Sequence, residues 1–330
     1  METTLPSALR RTFFAALLAL VSATPALAED TTPIKLLVGF PAGGSTDVIA
    51  RNLALAMEHE LGRPVIVDNR AGAGGQIAAQ VLRTSKPDGT TIFLTNSHTI
   101  AMIPNTMKNP GYNVAKDFTP ISLVATNPDV LAISTSATGG RPADFKGFVA
   151  WVQEHPGLGN VGVPAPASMP DFVVSVLAKA LPADLRSVPY RGDGPVVQDL
   201  SAGQIVGGIG SVGAVLPHVA TGKIKIIAVN GTRRVASIPN VPTYAELGIK
   251  GIDDQIFTAV IAPAGTPSDI IRRYNGAIVK AVESAEMREK LNNLGITLAG
   301  STPEALGQRI EASTRAAAEI VKNVGFVVKN

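Results

Sequence analysis

The segment FPAGGSTD, which begins at Phe40, holds the residues best placed to do chemistry, and that chemistry is anion binding. It follows the apolar run IKLLVG and precedes the amphipathic pattern of Thr46–Leu61, so we predict a turn between a strand and a helix. Glycines in such a turn let an anion approach the backbone N–H groups of the helix start. The hydroxyl groups of Ser45 and Thr46 are either further donors or helix caps. A phosphate, a carboxylate and no anion at all remain the alternatives.

A second segment, YRGDG at Tyr190–Gly194, repeats this arrangement 150 positions later. In both segments an aromatic residue ends a predicted strand, a glycine follows four residues later, and a helical pattern comes next. Ligands of open α/β sheets bind outside the carboxyl ends of the strands. We therefore predict that the two loops, one from each domain, face each other across a cleft, although such turns also serve packing alone.

Motifs for nucleotide binding and hydrolysis are missing from the sequence. The first loop lacks the lysine of a P-loop, and the run GAGGQIAA has Ile77 where a dinucleotide fingerprint needs its third glycine. We interpret that run as a turn before a helix and expect Gly74→Ala to leave the fold intact and to weaken ligand binding little. No G-x-S-x-G motif occurs, the four histidines lack metal-ligand spacing, and cysteine is absent. We predict no catalytic residue, no metal site and no cofactor.

The N-terminus has the pattern of a secretory signal peptide. Arg10 and Arg11 precede a short apolar run that ends in Ala26-Leu27-Ala28. We predict cleavage after Ala28 and a periplasmic location, with Sec and twin-arginine export both open. The run is too short for a membrane span, which needs about 20 apolar residues.

Composition indicates a globular α/β protein long enough for two domains. The chain has 330 residues, of which 45% are hydrophobic and 17% charged, and its formal net charge is +3. Short apolar runs alternate with amphipathic patterns, which predicts βα units and mostly parallel sheets. Three helices are predicted in the C-terminal third. No cluster of Lys and Arg suggests nucleic-acid binding.

Eight segments resemble, in the same order, the signature segments of one protein family. They are VGFPAGGSTDVIAR, VIVDNRAGAGGQIAAQVL, KPDGTTIFL, VPYRGDGPVVQDLSAGQI, PHVATGKIKIIAV, IPNVPTYAELG, IAPAGTPSDI and REKLNNLGITLAGSTPE. On these segments, from about Ile34 to Val324, the chain is identified as a member of the Bug family, the periplasmic receptors of tripartite tricarboxylate transporters. The resemblance implies the α/β fold of a type II periplasmic binding protein, with a ligand cleft between two lobes. The expected organisation is a signal peptide (1–28), lobe 1 (29–127), lobe 2 (128–254) and a return to lobe 1 (255–330).

The resemblance further implies that the two glycine loops are pincers holding a small carboxylate, so the first loop is expected to bind a carboxylate. The residues predicted to bind the ligand are Phe40, Ala42, Gly43, Gly44, Ser45, Thr46, Asp47, Ser97, Ser168, Tyr190, Arg191, Gly192, Asp193 and Gly194. Several have a second interpretation: Asp47 is expected to be mainly structural, and Arg191 either pairs with a distal carboxylate or faces solvent. Two segments depart from the family pattern, PAPASMPDFV and GIGSVG. These departures affect the identity of the ligand more than the fold.

The implied function is capture of a small carboxylate, a di- or tricarboxylate or related organic acid, for the membrane subunits of such a transporter. We expect a monomer. Two alternatives stay open: a ligand-sensing receptor for a signalling partner, and an exported enzyme that uses the same cleft. Against the enzyme stands the missing pair of nucleophile and base.

Overall fold

The computed structural model describes residues 32–252, 256–292 and 295–328. The predicted signal peptide and its cleavage site lie outside these residues. So does the pair Asp253-Asp254, which the sequence suggests is a solvated turn. The described residues form two β-sheets with helices packed against them.

The first sheet is built from both ends of the chain. Its strands are β1 (Ile34–Val38), β2 (Val65–Asn69), β3 (Thr91–Asn96), β4 (Phe118–Asn127), β10 (Ile256–Pro263) and β11 (Thr297–Leu298). Its helices are α1 (Ser45–Leu61), α2 (Gln76–Thr84), α3 (Ile103–Thr106), α4 (Val114–Asp117), α9 (Ser268–Glu283) and α10 (Ala285–Asn292). The strand order is β11-β4-β10-β3-β1-β2. A 3₁₀ turn (Ala73–Gly75) precedes α2, and a π-helical turn (His98–Met102) precedes α3.

The second sheet is built from the middle of the chain. Its strands are β5 (Asp129–Ser134), β6 (Asn160–Val163), β7 (Arg186–Pro189), β8 (Gly207–Ser211) and β9 (Ile224–Val229). Its helices are α5 (Phe145–Glu154), α6 (Met169–Ala180), α7 (Asp193–Ala202) and α8 (Val212–Val219). The strand order is β7-β6-β8-β5-β9.

The prediction of mostly parallel sheets is wrong for the strand pairings. Parallel pairs are formed by β1 with β2 and β3, and by β6 with β7 and β8. Antiparallel pairs are formed by β10 with β3 and β4, β5 with β8 and β9, and β11 with β4. The antiparallel direction of β5 follows from the connection between the sheets. A single residue, Pro128, links β4 to β5, and the first residue of β5 pairs with Ser211, the last residue of β8. A strand that begins at the carboxyl edge of a sheet runs against the strands that end there.

Both sheets are covered by apolar side chains on each face. Along β1, Leu36 and Val38 pack in one core cluster, and Leu37 packs in the cluster on the other side. The alternation follows from the strand period of two residues. Strands that are buried on both faces have continuous apolar sequences, so β1, β3 and β10 are recognisable in the sequence.

The last helix, α11 (Pro303–Val324), joins the two halves of the molecule. Leu306 and Ile310 pack in a core cluster of the first sheet, whereas Ala317, Ile320 and Val321 pack in a cluster of the second. The helix therefore belongs to both lobes by packing, although the sequence groups it with the first. The lobe boundaries at 127 and 254 stay predictions.

None of the helices within the described residues combines the length and the apolar character needed to cross a membrane.

Candidate ligand-binding cleft

A cleft of about 350 Å³ lies where strands of both sheets end. It is lined by Phe40, Pro41, Ala42, Gly43, Gly44, Ser45, Thr46, Asn96, His98, Asp129, Pro164, Ala165, Ser168, Pro170, Arg191, Gly192, Asp193, Gly194, Pro195, Ser211 and Ile256. The structure thus brings together eleven of the fourteen residues predicted to bind the ligand. The other three, Asp47, Ser97 and Tyr190, do not line this cleft.

The first loop presents the open start of α1 to the cleft. Gly43 adopts a left-handed φ of +83°, and Gly44 precedes the helix in an extended conformation with φ of −77°. No side chain caps this helix, because Gly44 has none. The N–H groups of Ser45, Thr46 and Asp47 have no carbonyl acceptor within the helix, as at any helix start. The loop therefore offers backbone donors and the positive end of a helix dipole to a ligand.

Asp47 lies beneath the first loop and holds it in place. Its carboxylate accepts hydrogen bonds from the Gly43 N–H (2.9 Å), Arg51 Nε (2.9 Å) and Asn69 Nδ2 (3.0 Å), and its residue is 2% exposed. Burial alone raises the pKa of Asp47, but the hydrogen bonds from Arg51, Gly43 and Asn69 outweigh it and lower the pKa below its ordinary value. The structure supports the structural role that the sequence suggested.

The second loop differs from the first in where its helix begins. Gly192, with φ of +106°, precedes α7, so Asp193 is the first helical residue and Gly194 lies within the first turn. The glycine that corresponds in place to Gly44 is therefore Gly192. The Gly192 N–H donates to the Pro164 carbonyl at 2.8 Å, which fixes the loop against the segment after β6.

Tyr190 and Arg191 point in different directions from this loop. Tyr190 Oη donates to Asp199 Oδ2 at 2.7 Å, and its residue lines an adjoining space of about 590 Å³ instead of the cleft. Burial and the Asp199 carboxylate raise the pKa of Tyr190 to about 12. Arg191 lines both spaces and is exposed, and it is the one Lys or Arg in the lining of the described cleft.

A chain of hydroxyl groups connects the two lobes across the base of the cleft. Ser211 Oγ donates to Asp193 Oδ2 at 2.7 Å and lies 3.4 Å from Ser45 Oγ. Burial raises the pKa of Asp193, although the hydrogen bonds from Ser211 offset part of that rise. Ser211, which the sequence did not suggest as a site residue, thus brings the start of α1 close to an acid of the opposite lobe.

Asp129 is a second acid that the sequence did not suggest. It is the first residue of β5, it pairs in register with Ser211, and it is 4% exposed while lining the cleft. No described residue donates a hydrogen bond to its Oδ2 atom. Burial and the nearby Asp193 raise its pKa well above the ordinary value. The available signal was a charged residue at the head of an apolar strand, PDVLAIS.

The end of β3 presents Asn96 and His98 to the cleft, whereas Ser97 faces away from it. Ser97 Oγ accepts a hydrogen bond from the Phe257 N–H at 3.4 Å, inside the first lobe. Burial lowers the pKa of His98 to about 4, so its imidazole is neutral at pH 7. Gly74 has φ of +64°, and a methyl group there would collide with the His98 ring, so alanine is strained at this position. The effect of Gly74→Ala on folding and binding stays a prediction.

Ser168 lines the cleft as the residue before α6. Its hydroxyl donates to the Ala165 carbonyl at 2.7 Å and accepts weakly from the Asp171 N–H at 3.4 Å. Four helices, α1, α6, α7 and α8, therefore start at or beside this cleft. Their dipoles favour a negative group between the lobes.

Among its described residues the cleft joins one hydroxyl to an acid, Ser211 to Asp193, but it joins no serine to a histidine. Within the described lining, no hydrogen bond joins His98 to Ser45, Ser168 or Ser211, and the Nδ1 atom of His98 has no hydrogen-bond partner there. In the described part of the chain, no three His, Asp or Glu side chains group together as a metal site would require.

Comparison with known proteins identifies the family of the chain. The family described as the tripartite tricarboxylate transporter family receptor, TctC, matches residues 49–326. Protein BugT of Bordetella pertussis is 33% identical over 298 residues, which cover 90% of each chain.

Two solved structures share the fold and carry ligands named with them. Rpa4515 of R. palustris with adipate has a TM-score of 0.84 and 27% identity, covering 91% of this chain and 99% of its own. MatC from Rhodopseudomonas palustris with bound malate has a TM-score of 0.79 and 28% identity, covering 88% and 98%. The predicted two-lobed α/β fold of a periplasmic binding protein is confirmed. The chain belongs to the receptor family of the tripartite tricarboxylate transporters, the family that the sequence segments resemble.

Proposed function

We propose that this protein binds a small organic carboxylate in the cleft between its lobes and delivers it, in the periplasm, to the membrane subunits of a tripartite tricarboxylate transporter. The observation that carries the proposal is the open start of α1. Its N–H groups at Ser45 and Thr46 lack a side-chain cap and border a cleft of about 350 Å³. Adipate and malate, the ligands named for two relatives, are both carboxylates.

The first pincer is Phe40–Asp47, and the second is Tyr190–Gly194. In the first, the ligand carboxylate accepts hydrogen bonds from the start of α1, while Asp47 keeps the loop rigid from below. In the second, Arg191 and the start of α7 close the cleft from the opposite lobe. Ser168 borders the same cleft as the residue before α6.

A thermal-shift screen tests the carboxylate function. A ligand at a hundredfold excess over its Kd stabilises a protein by about 2.7 kcal/mol, which is a shift of several degrees in a chain of this size. The screen pairs each mono-, di- and tricarboxylate with its uncharged amide. We expect at least one carboxylate to raise the melting temperature while its amide does not. Equal shifts from acid and amide, or no shift from any acid, would contradict the function.

Export and delivery require separate measurements. We expect the periplasmic protein to begin at Glu29 and to sediment as a monomer, and N-terminal sequencing and analytical ultracentrifugation check both. Cells without the receptor should lose uptake of the carboxylate identified in the screen and regain it with the wild-type gene. Unchanged uptake in those cells would show that the bound ligand serves a purpose other than transport.

A further inference from the structure

The second lobe presents two carboxyl groups to the cleft without a cation to balance them. Asp129 is 4% exposed, and its Oδ2 atom has no hydrogen-bond donor among the described residues. For Asp193, all donors come from Ser211, one of them the hydroxyl at 2.7 Å. Neither acid forms an ion pair with a Lys or Arg in the described residues, and no basic side chain contributes to the pKa of either.

Two acids without a nearby opposite charge, the buried Asp129 and the half-buried Asp193, are costly when they are left alone. A buried charge needs a partner of opposite charge or a proton, and an acceptor without a donor loses the hydrogen bonds that water supplied. Asp129 and Asp193 also repel each other, as the effect of Asp193 on the pKa of Asp129 shows. A cationic group placed between them would relieve both penalties.

The position of these acids relative to α1 restricts where that cation sits in the ligand. Ser45, at the start of α1, has its Oγ atom 3.4 Å from Ser211 Oγ, and Ser211 donates to Asp193. Two hydroxyl groups in succession, those of Ser45 and Ser211, therefore connect the start of α1 to the acid. The cation must lie close to the carboxylate in the ligand, as it does when both are bonded to the same carbon.

A ligand with a second carboxylate at this position fits poorly. It would bring a negative group against Asp129 and Asp193, and the single arginine of the described lining, Arg191, is exposed. A ligand that ends in an ammonium group has three donors for the acceptors that lack one.

We propose that the ligand is an amino acid whose carboxylate lies at the start of α1 and whose ammonium group lies against Asp129 and Asp193. This inference rests on the proposed carboxylate-binding function and narrows it to zwitterions. The side chain of the amino acid extends toward the rest of the cleft, where Phe40, Pro164 and Ile256 contribute apolar surface.

Calorimetric titration of the mature protein with matched ligand pairs tests the proposal. The pairs are aspartate with succinate, glutamate with glutarate, leucine with 4-methylpentanoate, and phenylalanine with 3-phenylpropanoate. We expect at least one amino acid to bind tenfold or more tightly than the acid that lacks its amino group. If deaminated acids bind as tightly as their amino acids or more so, the zwitterion proposal is overturned and the carboxylate function stands. If no compound of either kind binds, the zwitterion proposal and the carboxylate-binding function are both overturned.

Variants locate the ammonium site. Asp193→Asn and Asp129→Asn remove a charge but keep the shape, so we expect each to weaken amino-acid binding tenfold or more and to leave the deaminated acid unchanged or tighter. Asp184→Asn is the control of equal charge change, because Asp184 is exposed and pairs with Arg186 outside the cleft. Circular dichroism and melting confirm folding. Equal losses for both members of a pair in the folded variants would also overturn the proposal.

Discussion

The two glycine loops place the same kind of residue, an aspartate in the first turn of a helix, in opposite electrostatic situations. In the first loop, Asp47 is the third residue of α1 and receives three donors, one of them from Arg51. In the second loop, Asp193 is the first residue of α7, and among the described residues its donors come from Ser211 alone. The pKa of Asp47 is lowered and that of Asp193 is raised. The number of nearby donors therefore sets the direction in which the pKa of an acid beside such a loop is shifted.

The largest effect on stability is expected at Asp47. Asp47→Asn removes the charge that accepts from Gly43, Arg51 and Asn69 and puts an amide N–H group against at least one of those donors. Hydrogen bonds to a charged group contribute about 1.5–3 kcal/mol each, so we expect a loss of about 3 kcal/mol in the free energy of unfolding, measured in urea. Asp193→Asn, by contrast, should leave stability unchanged or raise it. Equal destabilisation by both substitutions would break the comparison.

A smaller effect separates the glycines that precede the two helices. Gly192 has φ of +106°, which an L side chain rarely adopts. Gly44 has φ of −77° and room for a Cβ atom, which would lie 3.5 Å from the Pro41 carbonyl oxygen. We expect Gly192→Ala to cost about 1–2 kcal/mol and Gly44→Ala less than about 0.5 kcal/mol, both by thermal melting. Similar losses at the two positions would show that the loops share one backbone requirement.

The smallest effect is a pH dependence that differs between the two lobes. Burial raises the pKa of Asp129, so the folded state binds its proton more tightly and gains stability as pH falls through that raised pKa toward about 4. Asp129→Asn removes this pH-dependent contribution to stability. The free energy of unfolding of the variant, relative to that of wild type, should therefore be greatest at pH 8 and should decline toward pH 4.5. Asp47, with its lowered pKa, loses its contribution only below about pH 4.

The measurement is urea unfolding of the variant and wild type across that pH range. His98 has the opposite effect on stability, because burial lowers its pKa to about 4. Its contribution to the free energy of unfolding falls as the pH falls from about 6.5 to 4. The difference between the two proteins cancels that contribution. A difference that does not change with pH would contradict the assignment of a raised pKa to Asp129.

Local patterns were enough to predict much of the fold. The helix predicted from the pattern of Thr46–Leu61 is α1, which begins one residue earlier at Ser45, and the apolar run before Phe40 forms the strand β1. The strand β4 was not predicted, because Pro120 interrupts its pattern and proline disfavours a strand interior. The antiparallel pairings depend on where the chain crosses between sheets, which no local pattern specifies.

The same limit applies to the cleft. The glycine loops were recognisable because their spacing lies within a few residues of sequence. Asp129 and Ser211 are brought together only by the pairing of β5 with β8, 82 positions apart. Ser97 was predicted to face the ligand because it follows β3 directly, but Asn96 and His98, the residues on either side of it, line the cleft instead.

The most direct test of the central claim is the affinity of Gly44→Asp for the carboxylate identified by screening. Asp is a favourable residue before a helix, and Gly44 has room for it, so folding should be retained. Two like charges 4 Å apart repel by about 4 kcal/mol at an effective dielectric constant of 20, so calorimetry should show at least a hundredfold loss. Gly276→Asp, on the exposed side of α9, is the control and should bind normally. A folded Gly44→Asp protein with native affinity would show that the carboxylate does not lie at the start of α1.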